Sequence, residues 1–431
     1  MMTTHRYSVR GNDSSTPAIP HETTLTWPSQ PGRTETIASD LGWWLTPLAT
    51  PPDAAIDLLR IAAGAYIADR LTRRGLTFSR DISLNVELAA PDTWISGPAD
   101  QICDLLHWLT GDSWSLVLTK DTTPRPAPIP TTHSNIDSHP VSLLSGGLDS
   151  FLGALNILPE NPDTMFIGHA DAANAVVAAQ KHVGTFLADA FTPTPSYTRL
   201  RLAQQGRKRE ASSRTRSLMF LSLAVAASTP SRRGTPSSVY VPENGYTSIN
   251  QPLHVNRGGA LSTRSTHPTT IYRFNELLNS LEISASVTNP FVRMTKGEAM
   301  KHVAQGIPPT AWERTAAATI SCSKLDGARI PGGNANLNCG LCYPCIVRRA
   351  TFIASGITDK TAYLCETLTG TSRTVLLDRR ASDIDAVRYA ISRGVDQDAV
   401  DADTWPPDYD LDDAADLVQR GLDEIAQVPL P

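Results

Sequence analysis

The chain has 431 residues, 41% hydrophobic and 19% charged, with 38 Lys and Arg against 43 Asp and Glu for a net charge of −5. That is the make-up of a soluble globular protein of two or three domains, and its acidic balance argues against a dedicated nucleic-acid binder, with local basic patches left open. No run approaches the ~18 apolar residues of a membrane span, no apolar signal core follows the first residues, and six cysteines in this length do not make a disulfide scaffold, so a cytoplasmic protein is expected.

Residues 1–120 read as a small α+β unit. Residues 53–71 have a helical period, with Ile56, Leu59, Ile61, Ala63 and Ile67 among the apolar positions. Residues 81–88 alternate as a half-buried strand does, and residues 113–118 read as a strand. Asp100 is placed to cap a helix bearing Ile102, Leu105, Leu106 and Trp108. Trp43, Trp44, Trp94, Trp108 and Trp114 are concentrated here. They either fill a small core or form an aromatic docking surface for a partner.

Residues 121–140 hold Pro124, Pro126, Pro128, Pro130 and Pro140. Such a segment has few donors and stays extended, so it reads as a linker. A strand-like run from Val141 then enters Ser145-Gly146-Gly147-Leu148-Asp149-Ser150, and a helical pattern follows. Two glycines let the backbone approach an anion closely. The opening amides of the helix have no intrahelical partner and carry the positive end of its dipole. Ser145 and Ser150 add hydroxyl donors, and Asp149 can orient a metal or the loop. An ordinary turn would account for a bare Gly-Gly, but the full string points to phosphate. It is neither a Walker loop nor a dinucleotide fingerprint. It resembles the PP-loop of ATP pyrophosphatases, which split ATP into AMP and pyrophosphate to adenylate an oxygen of their substrate.

Strand character then recurs at 164–168, 197–202, 238–242 and 283–287, and helical character at 172–190, 213–227, 271–281 and 296–303. This alternation implies a parallel sheet covered on both faces, with ligands at the carboxyl ends of the strands. Cys339, Cys342 and Cys345 follow at two-residue spacings, and Cys322 supplies a fourth thiol across a loop containing Gly327, Gly332 and Gly333. Four thiolates suit a structural, tetrahedral zinc. An iron–sulfur cluster uses the same spacing, and unrelated buried thiols are the plain alternative. Cys103 and Cys365 fall outside the set. Amphipathic helices at 382–393 and 411–425 close the chain, joined by an Asp-rich stretch that reads as solvated surface.

In order, the loop at 145–150, Arg216-Ser-Leu-Met-Phe-Leu-Ser-Leu-Ala, Asn289-Pro-Phe-Val-Arg-Met-Thr295-Lys296-Gly-Glu298, and Cys322 ahead of the Cys339 cluster resemble the 7-cyano-7-deazaguanine synthase (QueC) family over about residues 141–352. The resemblance implies an α/β fold: a Rossmann-like (PP-loop, HUP) parallel sheet with helices on both faces at 141–365. An N-terminal α+β accessory domain (1–120), the linker (121–140) and a helical acidic extension (366–431) flank it. It implies ATP and Mg²⁺ at Ser145, Gly146, Gly147, Leu148, Asp149 and Ser150. Ser145, Asp149, Arg216 and Lys296 would be catalytic, and Cys322, Cys339, Cys342 and Cys345 would hold structural Zn²⁺. Arg216 and Lys296 read otherwise as surface charges.

The family's Gly-Tyr-Pro-Asp-Cys-Arg substrate segment is absent. Glu243-Asn244-Gly245-Tyr246 and Arg264-Ser-Thr-His267 stand in its place, making Glu243, Asn244, Arg264 and His267 the candidate substrate contacts. Glu243 reads as a bond to a purine-like edge or as a general base, and Arg264 and His267 as substrate contacts or surface-loop residues. With the added domains, the chain looks like the QueC-like proteins of bacterial anti-phage systems, most closely that of the Qat system. The resemblance implies adenylation of a 7-carboxy-7-deazaguanine-like carboxylate by ATP, then attack by a nitrogen nucleophile. That nucleophile is ammonia or an amine of a protein partner from the same defence operon; no membrane or direct nucleic-acid contact is expected. Nucleic-acid base modification, such as thiolation, and a non-catalytic nucleotide-binding scaffold remain alternatives.

Overall fold

The structure is a computed structural model. It describes residues 4–15, 17, 19–28, 36–46, 48, 51–75, 79–126, 139–170, 172–205, 209–210, 213–228, 236–253 and 264–431. The elements begin with β1 (Thr4–Gly11), β2 (Thr23–Trp27), β3 (Thr36–Ser39), α1 (Asp53–Leu71), β4 (Asp81–Leu88), α2 (Pro98–Thr110), β5 (Ser113–Lys120), β6 (Val141–Leu143) and α3 (Leu148–Ile157). Then come β7 (Met165–His169), α4 (Asn174–Ala190), β8 (Tyr197–Leu200), β9 (Leu202–Gln205), α5 (Arg216–Ser228), β10 (Ser237–Tyr240), α6 (Gly245–Ile249), α7 (Pro268–Ser280) and β11 (Ala285–Thr288). The rest is helical: α8 (Lys296–Gly306), α9 (Pro309–Ala318), α10 (Tyr343–Ser355), α11 (Leu364–Thr367), α12 (Gly370–Arg393), α13 (Gln397–Asp401) and α14 (Leu411–Ala426). The fold is α/β, with parallel strands flanked by helices and a helical C-terminal part. Among the described residues no helix is long and apolar enough to cross a membrane.

The chain divides into two compact units that interleave along the sequence. Residues 1–143, 199–240 and 259–288 form the first, and residues 144–198, 241–258 and 289–431 the second. In the first unit a six-stranded sheet runs β5-β4-β1-β2-β3-β9, parallel except for β9 on β3. The interior strand β4 is buried on both faces, while the edge strand β5 buries Trp114 and exposes Ser113, Ser115 and Val117. Also in this unit, β10 pairs in parallel with β6 and β11, setting Val239 beside Val141 and Val287.

Helix α1 is buried along almost its whole length, so it is a core helix rather than an amphipathic surface one. It packs along α5, which draws the helix after Arg216 into the same unit as the N-terminal segment. Trp43, Trp94, Trp108 and Trp114 are all buried, which gives these rings to the core. The buried Arg60 guanidinium stacks 3.7 Å from the Trp43 ring and pairs with Asp121 at 3.0 Å. The start of the expected linker is thus anchored; residues 127–138 lie outside the described residues. Helix α2 opens with Pro98 after Gly97, and Asp100 lies in its first turn with no side-chain cap bond, so Asp100 is not the cap expected from sequence.

In the second unit Leu144 N–H donates to Ile167 of β7 at 2.8 Å, and Phe166 donates to Ser196 at 2.7 Å. Phe151, Phe166, Phe291, Met300 and Trp312 join α3, α4, α8 and α9 in one core. A second core joins Tyr246 of α6 and Ile346 of α10 to Val387, Val400, Leu417 and Ile425 of the last three helices. The C-terminal helices are therefore built into this unit. Asp396 and Asp410 of the acidic stretch are N-caps, accepting from backbone amides at the starts of α13 and α14.

Candidate nucleotide site and metal centre

The loop after β6 is held by its own side chains. Ser145 N–H donates to Ser150 Oγ at 3.2 Å, Gly147 N–H donates to Ser145 Oγ at 3.3 Å, and Ser150 Oγ donates to the Gly147 carbonyl at 3.0 Å. Gly146 has φ +86, a left-handed conformation, and a Cβ there would press on Gln180. Gln180, buried in α4, donates from Nε2 to the carbonyls of His169 at 2.8 Å and Ser145 at 3.3 Å. Sequence reasoning missed Gln180. It sits in a helix with no motif of its own, and only the turn of the loop brings it into contact.

Asp149 is the hub. Its Oδ1 accepts from Asn244 Nδ2 at 2.9 Å and Asn244 N–H at 3.3 Å, and its Oδ2 forms an ion pair with Lys296. Lys296 is buried at the first position of α8, which Thr295 caps in a reciprocal box with Glu298. Glu243 Oε1 accepts from Thr247 Oγ1 at 2.7 Å and Asn244 Nδ2 at 3.0 Å. Asn289 fixes the Glu243 backbone on both sides, accepting from its N–H at 3.2 Å and donating to its carbonyl at 2.7 Å. Thr247 and Asn289 are further residues not singled out from sequence. Three distant segments thus place two carboxylates, one ammonium and one amide on the first turn of α3.

Burial, and then the negative charge of Asp149, push the Glu243 carboxyl up to about 8, while Lys296 opposes the rise. The folded chain therefore keeps this proton to about pH 8, whereas an ordinary carboxyl releases it near pH 4.5. Stability from this group is full below about pH 4.5 and falls as pH rises to 8. Asp57, raised by burial to about 6, contributes a fall of the same sign that is finished near pH 6. Glu243→Gln should consequently flatten the decline in melting temperature between pH 6 and 8. Parallel declines in the two proteins would contradict this electrostatic account.

The other candidates, Arg216, Arg264 and His267, belong to the first unit. Arg216 opens α5 with its guanidinium 5.4 Å from the Phe220 ring centroid. Arg264 stacks 3.7 Å from the Trp108 ring. His267 is buried, caps α7 by accepting from Thr269 N–H at 3.2 Å, and meets Trp108 edge-on at 5.4 Å. Residues 261–263, just before Arg264, lie outside the described residues.

Cys322, Cys339, Cys342 and Cys345 are all buried, with their sulfurs within 4.8 Å of one another. Cys322 Sγ lies 3.8 Å from Cys342 Sγ, and Cys339 Sγ 3.9 Å from Cys345 Sγ. A tetrahedral ion with bonds of about 2.3 Å sets thiolates about 3.8 Å apart, so the four can hold one metal ion such as zinc. A cluster of several irons needs its thiolates wider apart. Asn338 accepts from the amides of Ser321 and Cys322 at 2.9 and 3.1 Å, which turns Cys322 back onto the other three. Arg380 of α12 donates to Cys339 Sγ at 3.4 Å and pairs with Asp326, a cation beside four thiolates. Comparison with protein-family models, curated proteins and solved structures finds no match to this chain.

Proposed function

We propose that the chain is an ATP-dependent, AMP-forming C–N ligase, acting on a 7-carboxy-7-deazaguanine-like carboxylate in anti-phage defence. The observation that carries this reading is the Asp149–Lys296–Asn244–Glu243 network on the first turn after Ser145-Gly146-Gly147. It gathers the charges that phosphoryl chemistry needs beside a loop built for an anion. In the proposed reaction a substrate carboxylate oxygen bonds to the α-phosphorus of ATP and the bond to the bridging oxygen breaks. Pyrophosphate leaves with that electron pair. A nitrogen nucleophile then bonds to the activated carbonyl carbon, gives up one proton, and AMP departs.

The chain's part is to bind, orient and neutralise charge. Opening amides of α3 and the hydroxyls of Ser145 and Ser150 would receive the phosphates. Lys296 would turn from Asp149 to the charge that builds on the leaving pyrophosphate. Bound Mg²⁺ would shield the phosphates, with Asp149 as its carboxylate ligand. Asn244 would keep Asp149 and Glu243 apart while bonding to both. Glu243, with its proton affinity near operating pH, would take the proton that the nitrogen gives up. Zinc on the four cysteines would be structural and take no part in these steps.

The acceptor is testable directly. A nitrile-forming or amide-forming site needs room only for a small base and ammonia, while this chain adds segments at both ends and replaces the family's substrate segment. Those features favour an amine on a protein from the same defence operon. Incubated with ATP, Mg²⁺, 7-carboxy-7-deazaguanine and that protein, the chain should raise the partner's intact mass by one deazaguanine acyl group. An unchanged partner together with free nitrile or amide would assign the acceptor as ammonia instead.

A further inference from the structure

Helix α14 presents one face to both elements that carry the candidate site. Leu417, Arg420, Gly421 and Glu424 share that face, at the i, i+3, i+4, i+7 spacing of a helix stripe. Leu417 packs against Gly245 and Gly421 against the Tyr246 ring, so closely that neither glycine has room for a Cβ. These contacts seat the segment that bears Glu243, Asn244 and Thr247. One turn further on, Glu424 reaches the start of α8. Its Oε1 accepts from Thr295 Oγ1, and its Oε2 accepts from Gly297 N–H at 3.1 Å. Arg420 pairs with Glu298, the other half of the α8 capping box.

Lys296 lies between the two residues that Glu424 holds. Its backbone is gripped on either side by one carboxylate, and its ammonium points to Asp149. Negative charge at a helix N-terminus is favourable, so Glu424 also stabilises the turn that orients Lys296. The two carboxylates at this turn, Glu424 and Glu298, already occupy acceptor positions there. That leaves the opening of α3, rather than that of α8, for an incoming phosphate.

We infer that Glu424 of the C-terminal helix is a positioning residue for Lys296, so that the extension completes the adenylation site; this rests on the function proposed above. The alternative is that α14 only closes the second core. A double-mutant cycle separates them, because a residue acting through Lys296 loses its effect once Lys296 is gone. In the full chain, Glu424→Met keeps the helix and fills the volume but accepts no hydrogen bond. AMP release from ATP with Mg²⁺ and 7-carboxy-7-deazaguanine should fall about tenfold, the loss expected of hydrogen bonds to a charged acceptor. Glu424→Gln, which still offers an acceptor, should recover to within about threefold of the unaltered chain. In a Lys296→Ala background Glu424→Met should cost nothing more. If Glu424→Met melts early, Thr295→Val, which removes the hydroxyl that Glu424 accepts from, carries the same prediction in the same cycle. Full activity in these variants, or losses that add to that of Lys296→Ala, would overturn the inference alone. An unaltered chain that releases no AMP would overturn the adenylation reading, and this inference with it.

Discussion

Asp149→Asn is expected to lower release of AMP and pyrophosphate by at least about a thousandfold while the chain stays folded. Asparagine keeps an oxygen to accept from Asn244, so the loop and α6 retain their contact. It removes the charge that pairs with Lys296 and that would hold Mg²⁺. It also removes the second-largest cause of the high Glu243 proton affinity, so the Glu243 carboxyl should titrate lower in this variant. Loss of turnover with a retained cooperative melt and retained zinc supports the assignment. Turnover near that of the unaltered chain would remove Asp149 from the chemistry. Asp149→Ala is the harsher change: both variants leave Lys296 buried without its charge partner, a loss of about 3 kcal/mol or more for a buried pair, and alanine also removes the oxygen that accepts from Asn244.

Cys342→Ser should act on the fold instead. Cys342 is fully buried, caps α10, and its N–H donates to Cys339 Sγ at 3.2 Å, so it ties the helix to the metal site. Where four thiolates hold one ion, metal binding is coupled to folding, and removing one ligand forfeits several kcal/mol. Bound zinc should fall well below one ion per chain, with an early melt and poor yield. Cys365→Ser is the matched control: Cys365 is buried nearby but is not one of the four. Equal zinc content in Cys342→Ser and the unaltered chain would contradict the tetrahedral site, and a coloured, iron-containing protein would replace zinc with iron.

Local signals were legible and long-range ones were not. The strand–loop–helix at Val141 and the cysteine spacing are contiguous patterns, and both appear in the structure as read. The role of Asn244 as a bridge from Glu243 to Asp149 was hidden, because Asn244 and Asp149 lie 95 positions apart. Glu424 was further hidden, 129 positions from Thr295, in a helix that sequence periodicity marks only as amphipathic. The N-terminal half of α12 went unread because Thr371, Ser372, Arg373 and Thr374 show no apolar stripe; Leu376 and Arg380 are the residues that bury it. Helix α10 was masked by its own start, where the cysteine ligands and Pro344 occupy the first turn. Arg264 and His267 read as a substrate loop from their place after Glu243. Their observed contacts with Trp108 needed the fold to bring residues more than 150 positions apart together.

The fate of the nucleotide tests the central claim most directly. The unaltered chain should be incubated with ATP, Mg²⁺, 7-carboxy-7-deazaguanine and ammonium, and its phosphorus products followed by ³¹P NMR. Adenylation predicts AMP and pyrophosphate in equal amounts, dependent on the carboxylate substrate. ADP and phosphate, or ATP left unconsumed under these conditions, would contradict it.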